Sequence, residues 1–180
     1  MLYLIYMSKQ QQVQLFNDKG EPTGSKHRHD IDKEKDLCFS IHLLVFTPSK
    51  ELVLSQIPEI NEYKEVDEGK IKSTATSLLR IEETPQDAAR RAMKEELSIS
   101  EATPLLMGRE FHEFPNGMER WLDIYYFVNT ENAVTFKSEN TNEMLYFNRI
   151  DLTEKISQNP DSFTHTFNLI WEKYSNQFPF

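Results

Sequence analysis

The sequence predicts an α/β or α+β sandwich, in which helices flank a mixed or antiparallel sheet. Short β-rich apolar runs separated by turn residues occupy most of the chain. One strongly capped amphipathic helix interrupts them, and a second amphipathic helix ends the chain. Strands followed by a helix, twice over, form a sheet covered by helices. Because 180 residues with 38% hydrophobic content suit one core, we expect a single domain, 1–180, with 1–12 as an extra N-terminal segment.

Composition argues against several classes of function. The net charge of −9 argues against a nucleic-acid backbone as partner, although a divalent cation could bridge a small anion to the protein. Cys38 is the only cysteine, which rules out an internal disulfide and fits a reducing compartment. The opening MLYLIYM is too short for a membrane span and is interpreted as a strand, with Met1 or Met7 as the start. We therefore expect a cytoplasmic protein without a membrane partner, and leave open a monomer or a homodimer.

The first half of the chain predicts two hairpins. In VQLFNDKGEPTG, an apolar run meets a turn at 18–20. The segment HRHDIDKEKD is interpreted as a solvated loop, because two exposed histidines alone make an incomplete metal site. Strands at 39–46 and 51–57 then flank the turn at 47–49. His42, inside the first of these strands, is interpreted as a hydrogen-bonded core or rim histidine.

The central helix is predicted at 84–97, after a charged loop and the strand IKSTATSLL. Thr84 is the N-cap, Pro85 stands in the first turn, and Asp87 completes a capping box. The helix face expected to pack on the sheet consists of Ala89, Met93 and Leu97.

The second half predicts a further hairpin, a strand and the final helix. Asn116 and Gly117 separate two aromatic-rich runs, which is a strong hairpin signal. MLYFNRIDL is predicted as one strand, and SFTHTFNLIWEKY as an amphipathic helix. The apolar side of that helix consists of Phe163, Phe167, Ile170, Trp171 and Tyr174.

Acidic residues on the central helix point to metal chemistry. Helical spacing places Ala92, Glu95 and Glu96 on roughly one face. Two adjacent carboxylates can hold a hard cation such as Mg²⁺, which often bridges to substrate phosphates. The alternative is that they form an ordinary solvated helix face.

The wider spacing resembles the Nudix box, which reads Gly, five residues, Glu, seven residues, then R-E-U-x-E-E-x-G-U, where U is bulky aliphatic. The positions that match are Glu83, Arg91, Met93, Glu95, Glu96 and Ile99. The departures are Ser77 and Ser98 for the two glycines and Ala92 for the first acid after the arginine. The resemblance extends over about 13–174, and the start together with PDSFTHTFNLI looks most like the subgroup of isopentenyl-diphosphate isomerase and related hydrolases.

This resemblance implies a Nudix-type sandwich that binds Mg²⁺ or Mn²⁺. The metal ligands it implies are Glu95, Glu96 and the backbone carbonyl of Ser77. It also implies an ion pair between Glu83 and Arg91.

In active relatives, the residue that matches Ala92 binds metal and often activates water, which an alanine cannot do. Replacement acids stand at Glu139 and Glu143. We expect Glu143, together with Glu96, to be catalytic, with an ordinary exposed acid as the alternative for Glu143.

Three functions follow as expectations. The first is a hydrolase that cleaves a phosphoanhydride in a small-molecule, nucleoside-diphosphate-linked substrate. The second is a binding domain that kept the Nudix fold and lost the chemistry. The third is an isoprenoid diphosphate isomerase, which would need a cysteine in a motif that Cys38 does not match.

Overall fold

The computed structural model describes residues 12–59, 67–131, 134–135 and 143–180, which form a mixed sheet with helices on both faces. The strands are β1 (Gln12–Phe16), β2 (Pro22–His27), β3 (Cys38–Phe46), β4 (Leu52–Gln56), β5 (Ile71–Lys72), β6 (Ala75–Leu78), β7 (Leu105–Glu113), β8 (Glu119–Val128) and β9 (Glu143–Phe147). The α-helices are α1 (Pro85–Leu97), α2 (Arg149–Gln158) and α3 (His165–Tyr174).

Strand β3 is the centre of the sheet. It runs parallel to β8 over its whole length, from Cys38 opposite Arg120 to Phe46 opposite Val128. Its other edge pairs antiparallel with β6 and, at its end, with β4. The β1–β2 hairpin joins through Leu15 opposite Cys38, and β9 extends the sheet beyond β4. The predicted mixed sheet is confirmed.

Two apolar cores lie on opposite faces of this sheet. Alternate residues of β3 point to opposite sides, so Ile41 and Leu43 pack in the first core and Leu44 packs in the second. Helix α1 covers the first core, and α2 and α3 cover the second. The predicted sandwich, with helices flanking the sheet, is therefore confirmed.

Side-chain hydrogen bonds set the start of helix α1, and a left-handed residue sets its end. The Thr84 hydroxyl accepts a hydrogen bond from the Asp87 N–H, and the Asp87 carboxylate accepts one from the Thr84 N–H. Ser98 ends the helix in the left-handed conformation, with φ 60°, where glycine is usual. The predicted stripe of Ala89, Met93 and Leu97 is buried.

Two predicted strands differ from the observed ones. MLYFNRIDL is not one strand, because β9 ends at Phe147 and the Asn148 side chain caps α2 by accepting from the Asp151 N–H. The strand IKSTATSLL is broken between β5 and β6. At the break, the Thr74 hydroxyl donates to the Val53 carbonyl and accepts from the Val45 N–H, 2.9 Å away. This hydroxyl bridges β3 and β4 where they diverge.

The remaining elements agree with the sequence. The three predicted hairpins form, and the final helix buries Phe167, Ile170 and Tyr174. This helix begins at His165, later than predicted, so Phe163 packs in the core from outside the helix. His42 is buried and hydrogen-bonded to Ser40 and Ser73, as expected. The predicted strand MLYLIYM and most of the charged loop 61–70 lie outside the described residues.

Candidate active site

Arg91 fastens the loop between β6 and α1 to the helix. Its guanidinium donates to both oxygens of Glu83, at 2.6 and 2.8 Å, and to the Leu78 carbonyl at 3.0 Å. Glu83 also accepts from the Arg80 N–H. Burial raises the pKa of Glu83, but these hydrogen bonds more than offset burial and leave that pKa below its usual value. The loop is therefore held in one position relative to α1.

Ser77 belongs to the same network. It lies in β6, opposite Ile41 of β3, and its hydroxyl accepts from Arg91 at 2.9 Å. A glycine at this position could not provide that acceptor, so the serine gives Arg91 one further partner. The predicted metal-binding role of the Ser77 backbone carbonyl stays a prediction.

Glu95 and Glu96 lie on the last turns of α1, in different environments. Half of the Glu95 side chain is exposed, and its carboxylate lies 3.4 Å from Arg80 and 3.7 Å from Arg91. Glu96 is half-buried, and burial raises its pKa to about 7 although Lys72 and Arg28 act in the opposite direction. Near neutral pH, Glu96 therefore exchanges a proton readily, and a bound cation would stabilise its charged form.

These donors fit one kind of metal site. Within the described ranges, no group of three or more His, Cys, Asp or Glu side chains is placed to hold an ion. Mg²⁺ is commonly held by one or two carboxylates together with substrate phosphates and water. Glu95 and Glu96 fit that shared arrangement, whereas a metal cage built wholly from protein carboxylates does not fit the described residues.

Ala92 differs from the sequence-based expectation. We expected it to point with Glu95 and Glu96, but it is only 1% exposed and packs in the apolar core with Ala89 and Met93. The reason is tertiary, because the position borders both faces of the helix and the surrounding core covers it. The position at which the Nudix box has an acid is thus occupied by a buried core residue.

Glu143 lies apart from the Glu95–Glu96 pair. It is the exposed first residue of β9, opposite Gln56 of β4. Its neighbour Met144 packs on the α1 core, and Leu145 packs on the opposite core. Because successive side chains alternate across a strand, Glu143 points with Leu145, away from α1. Its role as a base stays a prediction, and Glu139 lies outside the described residues.

Sequence reasoning missed the basic residues around the two acids. Arg80 contacts Glu95, and the charges of Lys72 and Arg28 act on Glu96. Arg80 also lines an open cleft of about 420 Å³, together with Phe39 and Arg109. A basic residue inside the sequence LLRIEE was the available signal, but its partner depends on the fold.

Comparison with known proteins decides the fold. No family model matches the chain. A crystal structure from Deinococcus radiodurans has a TM-score of 0.73 at 14% identity, covering 91% of this chain and 99% of that one. A MutT protein from Methanosarcina mazei gives 0.62 at 14% identity, covering 84% and 100%. A MutT NUDIX hydrolase from Burkholderia pseudomallei gives 0.57 at 14% identity, covering 76% and 97%. The chain has the Nudix fold.

The Nudix fold is also consistent with the sequence relative found. An isopentenyl-diphosphate Delta-isomerase of Aliivibrio fischeri is 22% identical over 171 residues, which are 89% of this chain and 93% of that protein. This agrees with the subgroup resemblance stated from the sequence. Among the helices of the described part of this Nudix fold, none is long and apolar enough to cross a membrane.

Proposed function

We propose that this chain is a Nudix-type hydrolase that cleaves a phosphoanhydride bond in a small, nucleoside-diphosphate-linked compound. The observation that carries the proposal is the environment of Glu96, a half-buried carboxyl group beside Glu95 and within electrostatic reach of Lys72 and Arg28. Carboxylates suit a divalent cation, and the neighbouring basic groups suit phosphate oxygens. The likeness to solved MutT and NUDIX structures supports the same class of activity.

Each residue has a part in this reaction. Glu95 and Glu96 would hold Mg²⁺ or Mn²⁺, and the bound cation would neutralise charge on the phosphate oxygens. Lys72 and Arg28 attract the diphosphate group by their charge. The Arg91–Glu83 pair keeps the loop between β6 and α1 against the helix. The positions of Ser77, Glu95 and Glu96 relative to one another are thereby fixed. Burial raises the pKa of Glu96 to about 7 without a cation, so a cation held by Glu95 and Glu96 would lower that pKa and keep Glu96 as a charged ligand.

A binding domain without catalysis is the second candidate. The alanine at position 92 supplies no carboxylate, and Glu95 contacts two arginines, so few carboxylates are available to a metal; both facts favour the binding domain. Such a domain would bind a diphosphate and release it unchanged.

The likeness to an isopentenyl-diphosphate isomerase favours the third candidate, but the environment of Cys38 argues against it. Cys38 is fully buried, and burial raises the pKa of its thiol. A buried thiol with a raised pKa is a poor acid or base toward a bound substrate. Cys38 is therefore best explained as a core residue.

A substrate panel separates these functions. ADP-ribose, dinucleotides, nucleoside triphosphates and isopentenyl diphosphate would be incubated with Mg²⁺ or Mn²⁺, and the formation of nucleoside monophosphates and of the isomer measured. Under the hydrolase proposal, one nucleotide is cleaved, Glu96→Gln loses at least about a hundredfold in kcat, and the exposed control Glu101→Gln keeps it. Diphosphate binding without turnover of any compound would reject the hydrolase and support the binding domain.

A further inference from the structure

Arg80 lies in the loop between β6 and α1, and its side chain reaches the acidic end of α1. Its backbone is held by the hydrogen bond from its N–H to Glu83 and by a bridge to Val13 of β1. Its guanidinium reaches Glu95, fifteen positions further along the chain. Arg80 also lines the open cleft of about 420 Å³, beside Phe39 and the acidic residues Glu82 and Glu83. A ligand in that cleft can therefore reach Arg80 directly.

The Arg80–Glu95 contact is weak compared with the neighbouring Arg91–Glu83 ion pair. It is a single contact of 3.4 Å, and half of the Glu95 side chain is exposed. Arg91, in contrast, donates two hydrogen bonds to Glu83, at 2.6 and 2.8 Å, and both side chains are mostly buried. Exposed ion pairs with poor geometry contribute little, whereas arginine binds phosphate strongly through paired N–H groups. Arg80 can therefore exchange Glu95 for a phosphate at small cost.

The local charge favours that exchange. Arg28 acts on both Arg80 and Glu96, and Lys72 acts on Glu96. Glu83 is already committed to Arg91, and Ala92 supplies no charge. Basic groups thus stand beside the acids Glu95 and Glu96, and their charge attracts an anion toward Arg80.

We propose that Arg80 binds a phosphate group of the substrate and, by leaving Glu95, frees that carboxylate for the divalent metal. The proposal rests on the proposed function for its diphosphate ligand and for the divalent metal at Glu95 and Glu96. The diphosphate binds without metal, and metal binds more tightly once the diphosphate is present. By linkage, each ligand raises the affinity for the other by the same factor.

Methylenediphosphonate, a diphosphate analogue that is not hydrolysed, tests this on the whole chain. Its affinity would be measured by calorimetry in EDTA, and Mn²⁺ affinity by electron paramagnetic resonance with and without it. Arg80→Gln should weaken diphosphonate binding by at least about tenfold, the loss of one charged hydrogen-bonding group. The same variant should tighten Mn²⁺ binding in the absence of diphosphonate, because Glu95 then keeps only its 3.7 Å contact with Arg91. A purely structural role for Arg80 would not move the two affinities in opposite directions.

Two further variants make the result decisive. Arg90→Gln removes the same charge from an exposed position of α1, where Arg90 pairs loosely with Asp87 at 3.4 Å, and should change neither affinity. Arg80→Lys keeps the charge and should recover part of the diphosphonate binding. Equal losses in Arg90→Gln and Arg80→Gln, or unchanged diphosphonate affinity in Arg80→Gln, would overturn the proposal. Binding through Arg80 without turnover of any substrate would reject the hydrolase and leave the role of Arg80 intact. Turnover with wild-type kinetics in Arg80→Gln would reject the role of Arg80 and leave the hydrolase intact.

Discussion

Replacing Ala92 by glutamate restores the residue that the box resemblance leads one to expect, and the structure predicts that it destabilises the fold. Ala92 is 1% exposed and packs against the sheet with Ala88, Ala89 and Met93. The larger side chain adds atoms to a filled core, which costs about 1–3 kcal/mol. It also brings a carboxylate into an apolar environment, which raises a pKa by about 3 units.

The charge-dependent part of this cost follows from the pKa change. Because a shift of one unit corresponds to about 1.4 kcal/mol, about 3 units give about 4 kcal/mol. A carboxyl group with a raised pKa in the folded state destabilises the protein fully above that pKa. The loss disappears as the pH falls toward the unfolded-state value of about 4.3. At pH 8 the full charge cost applies, whereas at pH 5.5 about 2 kcal/mol of it remains.

Urea unfolding of Ala92→Glu and wild type at pH 8 and pH 5.5 measures this difference. Ala92→Gln is the matched control, since it adds the same volume without a charge and should show a loss that does not change with pH. If Ala92→Glu unfolds at the wild-type urea concentration at pH 8, position 92 borders solvent and the reasoning is refuted. Recovery of its stability by Mg²⁺ would show that the new carboxylate reaches the metal site.

Two further variants test the helix and its loop. Arg91→Ala leaves Glu83 mostly buried without its partner and should cost about 3 kcal/mol in urea unfolding, with faster amide exchange across 77–83. Arg90→Ala, at an exposed site, should stay within about 0.5 kcal/mol of wild type, and unchanged exchange in Arg91→Ala would contradict the fastening role. Ser98→Gly should stabilise the protein by about 1 kcal/mol, because Ser98 holds φ 60°, and an unchanged unfolding midpoint would show that this conformation carries no strain.

Local signals predicted the parts of the fold that local chemistry determines. The capping box at Thr84 and Asp87 located the start of α1, and Asn116 with Gly117 located the β7–β8 turn. The helix that begins after Asn148 was missed although its cap was present in the sequence, because the apolar run of β9 leads directly into it. A continuous apolar run does not by itself show where a strand ends.

The candidate site was predicted less completely, since its contacts join distant segments. The resemblance to the Nudix box implied the Glu83–Arg91 pair, because both residues match positions of that motif, and the structure contains it. No local pattern shows that Ala92 enters the core or that Arg80 reaches Glu95, because each depends on how the loop packs along α1. Helical periodicity placed Ala92 with Glu95 and Glu96, whereas the tertiary neighbours place it in the core.

The parallel pairing of β3 with β8 has a consequence for synthesis of the chain. Phe39 pairs with Trp121, so the central strand waits for a partner that the ribosome makes about eighty residues later. At about 5–20 residues per second, this interval lasts about 4–16 s. Throughout it, the apolar sequence CFSIHLLVF has one unpaired edge on the nascent chain, while β6 becomes available for the other edge much earlier. Folding of the sheet is therefore completed late, and the unpaired edge is open to chaperones or to aggregation until then.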